Sequence, residues 1–301
     1  MIKFYIPDGH LEEKTLELFE RAGFNITITE RGYNPRIDDL EVVLKRLRPQ
    51  DFPFALAIEK GDLAITGSDI VQEFRLKYPE RAGKIEELLD LGFGKTNLCV
   101  AVSEDIMPDV NNIKDLKKFA KDREVIVATE YPNIAKDYLK KKGIKAIIRK
   151  PAGKTEAWLT PPVPEADIII ETTETGRTLR ENRCRIIDNV LEATARLICN
   201  KESLKDKEKE KKIREIVMLF EGVLKGKGKV NVYMNVVDPK NLDPVLGVIR
   251  DYVEKPTISD LKDGGHDIFI VIDERDLKYI LPELKRKGAS SIAISDTRMI
   301  I

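Results

Sequence analysis

An apolar run, Ala166-Asp-Ile-Ile-Ile170, stops at Glu171-Thr-Thr-Glu-Thr-Gly-Arg-Thr-Leu-Arg-Glu-Asn182. The run reads as a buried strand. Beyond it, Ile186, Ile187, Val190, Leu191, Ala195 and Ile198 recur at helix spacing, which predicts a long helix. A strand that turns directly into a helix belongs to an α/β fold, and the turn falls on Thr175, Gly176, Arg177 and Thr178. Glycine permits a sharp turn. First-turn N–H groups have no partner inside a helix, and the helix dipole favours an anion there. With the hydroxyls of Thr175 and Thr178, this is a phosphate cradle. Glu171 and Glu174 do not suit a phosphate, but they suit hydroxyls or a divalent cation beside one. A ribose phosphate has that layout. The plainer reading is a helix cap, since threonine caps well.

The rest of the chain repeats the alternation. Ile2–Ile6 reads as a strand, followed by a helix carrying Leu11, Leu16, Leu18 and Phe19. Phe24–Ile28 reads as a second strand, Phe52–Glu59 as a short helix, and Leu63–Thr66 as a buried strand ending at Gly67. Leu98–Val102 begins a crossing into a second lobe. There Val125–Thr129, Ile144–Arg149 and Ile168–Ile170 are strands, and a helix from Ile134 to Lys142 is stopped by Gly143. The predicted helix after Thr178 carries the chain back. Two α/β lobes with a crossover and a return place a ligand in the cleft between them.

The 301 residues suggest more than one core, and 52 basic residues balance 52 acidic ones. No global field calls for nucleic acid or an acidic membrane. The three cysteines, Cys99, Cys184 and Cys199, have no metal-ligand spacing and imply no disulfide framework. A cytoplasmic setting is expected, with no export signal and no spanning helix. Lys201–Lys212, almost wholly charged with both signs mixed, reads as a solvated connector or helix face. An apolar helix face from Ile213 to Leu224 follows, then a loop at Lys225–Lys229. After it, Val230–Val236, Asp267–Ile272 and Ser291–Ser295 read as strands, with helices at Asn241–Val253 and Arg275–Lys287. That order suits a small ferredoxin-like domain.

Several pieces together carry a family resemblance: Arg48-Pro-Gln-Asp-Phe-Pro53, Gly61-Asp-Leu-Ala-Ile-Thr-Gly-Ser-Asp69, Leu91-Gly-Phe-Gly94, Ala128-Thr-Glu-Tyr-Pro132, Gly153-Lys-Thr-Glu156, Thr175-Gly-Arg-Thr-Leu179, Lys255-Pro-Thr-Ile258 and Leu284-Lys-Arg-Lys-Gly-Ala289. In order and spacing the chain resembles the long form of ATP phosphoribosyltransferase, the first enzyme of histidine biosynthesis, over nearly its full length. The resemblance implies a two-lobed catalytic part like a periplasmic binding protein, plus a C-terminal ferredoxin-like regulatory domain. Lobe I is expected over residues 1–100 with a return segment at about 183–224, lobe II over 101–182, and the regulatory domain over 225–301. It implies transfer of the phosphoribosyl group of 5-phosphoribosyl-1-pyrophosphate to N1 of ATP, with Mg2+ accompanying the donor. It also implies feedback inhibition by histidine in a homo-oligomer, a hexamer.

Residue by residue, the resemblance assigns the phosphoribosyl group to Glu174, Thr175, Gly176, Arg177, Thr178 and Leu179, with Thr175–Leu179 holding the 5-phosphate. Glu171 would bond ribose hydroxyls, and Glu156 would help hold ribose or metal; no residue is singled out as a metal ligand. Arg48, Asp69 and Tyr131 would face ATP. Asn235, Asp238, Thr257 and Ala289 would line the effector site. Plainer roles stand beside these: Arg48 pairing, Asp69 capping a helix at Ile70, Tyr131 packing. The chain departs from the family at Asp8 and His10, where Lys and Arg are usual, at Ala157-Trp158, and at Gln50. These changes bear on the triphosphate more than on the ribose phosphate. They motivate an alternative, a catalytically silent regulatory subunit. A solute-binding protein is the third reading, opposed by the Thr-Gly-Arg-Thr-Leu motif.

Overall fold

A computed structural model of the protein describes residues 1–29, 32–262 and 264–301. Two compact units emerge: Met1–Glu17 with Phe24–Arg214, and Leu18–Gly23 with Glu215–Ile301.

The first unit contains two sheets. In chain order its elements begin with β1 (Ile2–Pro7), α1 (Glu12–Ala22, whose last residues belong to the second unit), β2 (Ile26–Thr27), β3 (Arg36–Ile37), β4 (Val42–Leu47), α2 (Phe52–Ala57), β5 (Leu63–Gly67), α3 (Ser68–Lys77) and β6 (Ile85–Asp90). Then come β7 (Thr96–Ser103), α4 (Ile113–Phe119), β8 (Val125–Thr129), α5 (Pro132–Lys142), β9 (Ala146–Arg149), β10 (Ile168–Thr173), α6 (Arg177–Glu181), β11 (Cys184–Ala193) and β12 (Ala195–Asn200). Lobe I is the sheet β4-β1-β5-β12-β6, and lobe II is β11-β7-β10-β8-β9. β1, β4 and β5 run parallel, as do β8, β9 and β10. The chain therefore crosses between lobes twice, from β6 to β7 and from β11 to β12. Runs such as Leu63–Ile65 and Ile168–Ile170 are fully buried, as strands covered on both faces must be.

The predicted long helix beyond Thr178 is wrong. α6 is only five residues, and β11 and β12 occupy the span from Ile186 to Ile198. β11 pairs antiparallel with β7 with register shifts at Ile186/Asp188 and Asn189/Leu191. Each irregularity breaks the two-residue alternation, so apolar side chains fall at spacings that imitate a helix. β2 is also shorter than the expected Phe24–Ile28, while β4, β6 and β14 (Thr257–Asp260) were not foreseen. All four residues of β14 are exposed, so it carries no burial pattern to read.

In the second unit, α7 (Lys207–Gly226, begun in the first unit) leads into β13 (Lys229–Val236), α8 (Leu242–Ile249), β14, β15 (His266–Asp273), α9 (Leu277–Arg286) and β16 (Ser290–Asp296). The sheet order β14-β15-β13-β16, antiparallel throughout, is ferredoxin-like. One face buries Val232, Met234, Ile268 and Ile270 with Ile249, Ile280 and Leu284 of the helices. The predicted loop at Lys225–Lys229 is tighter than expected, because α7 continues through Gly226. A Cβ there would lie 2.9 Å from the Met299 Cα, so glycine admits the close pass of the C-terminal segment.

Candidate active site

The cleft between lobes I and II is framed by the C-terminal ends of the parallel strands, where open α/β sheets bind ligands. On lobe II, β10 ends in Glu171, Thr172 and Thr173. The Thr173 hydroxyl accepts from the Gly176 N–H at 2.7 Å, and Gly176 takes the left-handed conformation with φ +70°. A side chain there would also approach the Arg180 Nη1 to 3.0 Å. Glu174, Thr175 and Thr178 are exposed around this turn, Leu179 is buried beneath it, and Arg177 pairs with Glu181 at 2.7 Å. Thr173 supports the loop, a role sequence reasoning missed.

Glu171 is the most perturbed acid beside the loop. Burial pushes its carboxyl upward. Hydrogen bonds from the Thr155 hydroxyl and from the Thr172 N–H and hydroxyl work against that, and nearby Glu130 adds to the rise. The Thr172 N–H reaches Glu171 Oε1 at 2.8 Å. Glu156 follows Thr155 in a short 3-10 turn. It lies near Cys184, whose thiol is pushed up to about 11, mainly by burial and then by Glu156. Glu130 and Thr155 were not singled out from the sequence, because their importance lies in what β8 and this turn bring alongside β10.

On lobe I, Arg48 follows β4, its side chain 73% exposed and its Nε 3.5 Å from an Asp8 carboxylate oxygen. Asp8 sits at the end of β1, and its Oδ1 is buried without a hydrogen-bond partner. His10 is exposed. Asp69, in the first turn of α3, is 6% exposed. It makes no cap to its own helix; instead it accepts from the Tyr131 hydroxyl at 2.6 Å. Gly67 is required by this arrangement, since a Cβ would fall 2.1 Å from Asp69 Oδ1. Tyr131 precedes α5, so Asp69 and Tyr131 meet from opposite lobes. Burial first, and then Asp69, push the Tyr131 phenol upward. Beside this pair, Phe54, Phe74, Tyr78, Glu73, Pro132 and Lys150 help to line a cavity of about 520 Å³. Among the described residues no group of three or more His, Cys, Asp or Glu side chains converges to hold a metal ion.

In the second unit, Asn235 on β13 lies opposite Ser290 of β16, whose hydroxyl donates to the Asn235 carbonyl at 3.1 Å. Ala289 is buried just before β16. Asp238 accepts from the Lys240 N–H at 3.0 Å. Thr257 is on the edge strand β14, opposite Phe269, which stacks on Tyr233 at 4.8 Å. Thus Asn235 and Ala289 are gathered at one place, Asp238 follows β13, and Thr257 stands two strands from Asn235 on the same open face.

This fold and this cleft define a two-lobed α/β protein with a hydroxyl-rich turn and a burial-perturbed acid, Glu171, at the end of β10. The sequence profile of ATP phosphoribosyltransferase matches residues 48–222. The ATP phosphoribosyltransferase of Archaeoglobus fulgidus is 43% identical over 250 residues, 83% of this chain and 88% of that protein. The one from Solibacter usitatus is 38% identical over 300 residues, 97% of this chain and 96% of its own. A chain of the ATP phosphoribosyl transferase (HisG:HisZ) complex from Thermotoga maritima shares the fold with a TM-score of 0.58. It is 23% identical, and the match covers 73% of this chain and 99% of that one. The chain belongs to the ATP phosphoribosyltransferase family, a family of glycosyl-group-transferring enzymes. Relatives named as the transferase along nearly the whole chain do not favour a silent subunit. Among the described residues no helix is long and apolar enough to cross a membrane.

Proposed function

We propose that the protein transfers the 5-phosphoribosyl group of 5-phosphoribosyl-1-pyrophosphate to N1 of ATP, in histidine biosynthesis. The observation that carries this reading is the exposed Thr175–Thr178 turn beside Glu171, within a chain of this family. N1 of adenine forms a bond to the anomeric carbon as the bond to pyrophosphate breaks, and the leaving oxygen takes the electron pair. The turn would hold the 5-phosphate through the Thr175 and Thr178 hydroxyls and the backbone. Glu171 would accept from ribose hydroxyls, with Glu156 close by. As positive charge builds on the ribose, the carboxylates at its edge stabilise it, and holding both reactants in line supplies much of the rest. Arg48, Asp69 and Tyr131 would face the nucleotide. Among the described residues, Arg48 has a long pairing to Asp8 and an exposed side chain, so it is available to a phosphate.

Mg2+ enters as part of the donor substrate, neutralising its pyrophosphate. The neighbouring acids Glu130 and Glu171 suit a cation brought by substrate. Histidine would inhibit through residues 225–301, within a homohexamer in the cytoplasm. The test is to mix purified protein with ATP, the donor and Mg2+ and to separate the products by chromatography. Phosphoribosyl-ATP in stoichiometry with pyrophosphate is the expected result. Binding of both substrates without product would instead favour the silent subunit.

A further inference from the structure

α5 begins without a cap of its own. Tyr131 occupies the N-cap position but makes no side-chain cap, and Pro132 follows as the first helical residue. The orphan donors of this first turn are met from the other lobe. Glu73, in the middle of α3, accepts from the Asn133 N–H (3.0 Å to Oε1, 3.1 Å to Oε2), from Asn133 Nδ2 (2.6 Å), and from the Ile134 N–H (2.9 Å). A carboxylate against first-turn N–H groups is a charge-assisted arrangement at the positive end of a helix. The same face of α3 supplies Leu76, which packs on the lobe II core. At its start, the Ser68 N–H donates to the carbonyl of Thr194, where the chain crosses between lobes, at 2.9 Å.

We infer that Glu73 is a positioning residue for the transfer reaction: it caps α5 from the opposite lobe, holds the lobes together, and so seats Tyr131 against Asp69. The inference rests on the reaction proposed above. Only Pro132 separates Tyr131 from Asn133, where the bonds that Glu73 makes begin, so the position of the Tyr131 hydroxyl is set by where α5 starts. Glu73 lines the cavity beside Tyr131, but its four bonds all go to α5. Its effect is therefore on the balance between open and closed lobes. A site already closed binds more tightly than one that must close first, because apparent affinity scales with the competent fraction.

The test uses the full chain. Cys99, Cys184 and Cys199 are buried, so spin labels at Lys60→Cys on lobe I and Lys145→Cys on lobe II, both exposed, report the distance between lobes. In Glu73→Gln, an amide NH2 faces two N–H donors. The expected result is a longer or broader distance without ligand, restored by saturating substrates. KM should rise for donor and ATP by about 10-fold, with kcat within about 2-fold. Asn133→Ala keeps the backbone bonds and should have the smaller effect on both readouts. Unchanged distance and KM in a folded Glu73→Gln protein would overturn the inference, as would a lower kcat at unchanged KM, or a larger effect from Asn133→Ala. The ligand-free distance needs no turnover. An inactive parent would therefore remove the proposed reaction, and with it the positioning role, while the distance alone would decide the cross-lobe cap.

Discussion

The Tyr131 hydroxyl donates to Asp69 at 2.6 Å across the two lobes. It joins the first turn of α3 to the residue just before α5, and it meets a carboxylate with little access to water. Tyr131→Phe should leave that carboxylate short of a donor, at a cost of about 1–3 kcal/mol in urea unfolding. In steady-state kinetics the KM for ATP should rise while that for the donor stays near the parent value. Equal rises in both would make the pair a general lobe contact rather than part of the nucleotide site.

Thr178 presents an exposed hydroxyl, while its carbonyl accepts from Asn182 Nδ2 at 2.9 Å. Removing the hydroxyl leaves that bond in place. Thr178→Ala should therefore weaken donor binding by about 10-fold or more, the scale of one charge-assisted hydrogen bond. ATP binding should be spared in calorimetry. Equal losses for the two ligands would mean that the start of α6 had moved.

Glu171 links function to stability. Burial raises its carboxyl above the usual range on folding, so the stability it contributes is full below the unfolded-state value and is lost as pH rises through the folded one. At neutral pH the ionised form is a burden to the fold. Glu171→Gln should raise Tm by about 2–4 °C at neutral pH, with the gain vanishing in acid. Product formation should fall on the order of 100-fold. A lower Tm at neutral pH would place the carboxylate in the structural framework instead.

Asp62 behaves oppositely. Burial acts to raise its carboxyl, but hydrogen bonds from Lys209, from the Lys3 N–H and from the Ser203 hydroxyl outweigh it and leave it lowered. The Ser203 and Lys209 bonds are 2.6 and 2.8 Å. Its stability is present above the unfolded-state value and is lost as pH falls through the lowered folded value. Asp62→Asn should cost on the order of 3 kcal/mol at neutral pH and flatten the acid limb of the stability profile. Urea titrations at neutral and acid pH check both.

Thr257 tests the effector reading. It is exposed on β14, so its hydroxyl can be removed with little effect on the core. Thr257→Ala should raise the histidine concentration needed for half-inhibition, with uninhibited turnover nearly intact. Unchanged inhibition would move the effector site away from β14.

The sequence by itself determined the local grammar. The apolar run into Ile170, the glycine at 176 and the flanking hydroxyls placed a sharp turn between β10 and α6, because burial and backbone sterics act over a few residues. Three strands and both helices of the last module, β13, α8, β15, α9 and β16, were legible for the same reason, whereas the exposed β14 was not. Where two irregularities interrupted β11, the same local rules misread a strand as a helix, since periodicity records which side chains are buried but not what they are buried against. Only the tertiary structure decided the partnerships: Tyr131 with Asp69, 62 residues apart, and Glu73 with Asn133, 60 apart. Those contacts exist because α3 and α5 cover different sheets and meet where the lobes close, and no spacing along the chain encodes which helix end another helix will cap.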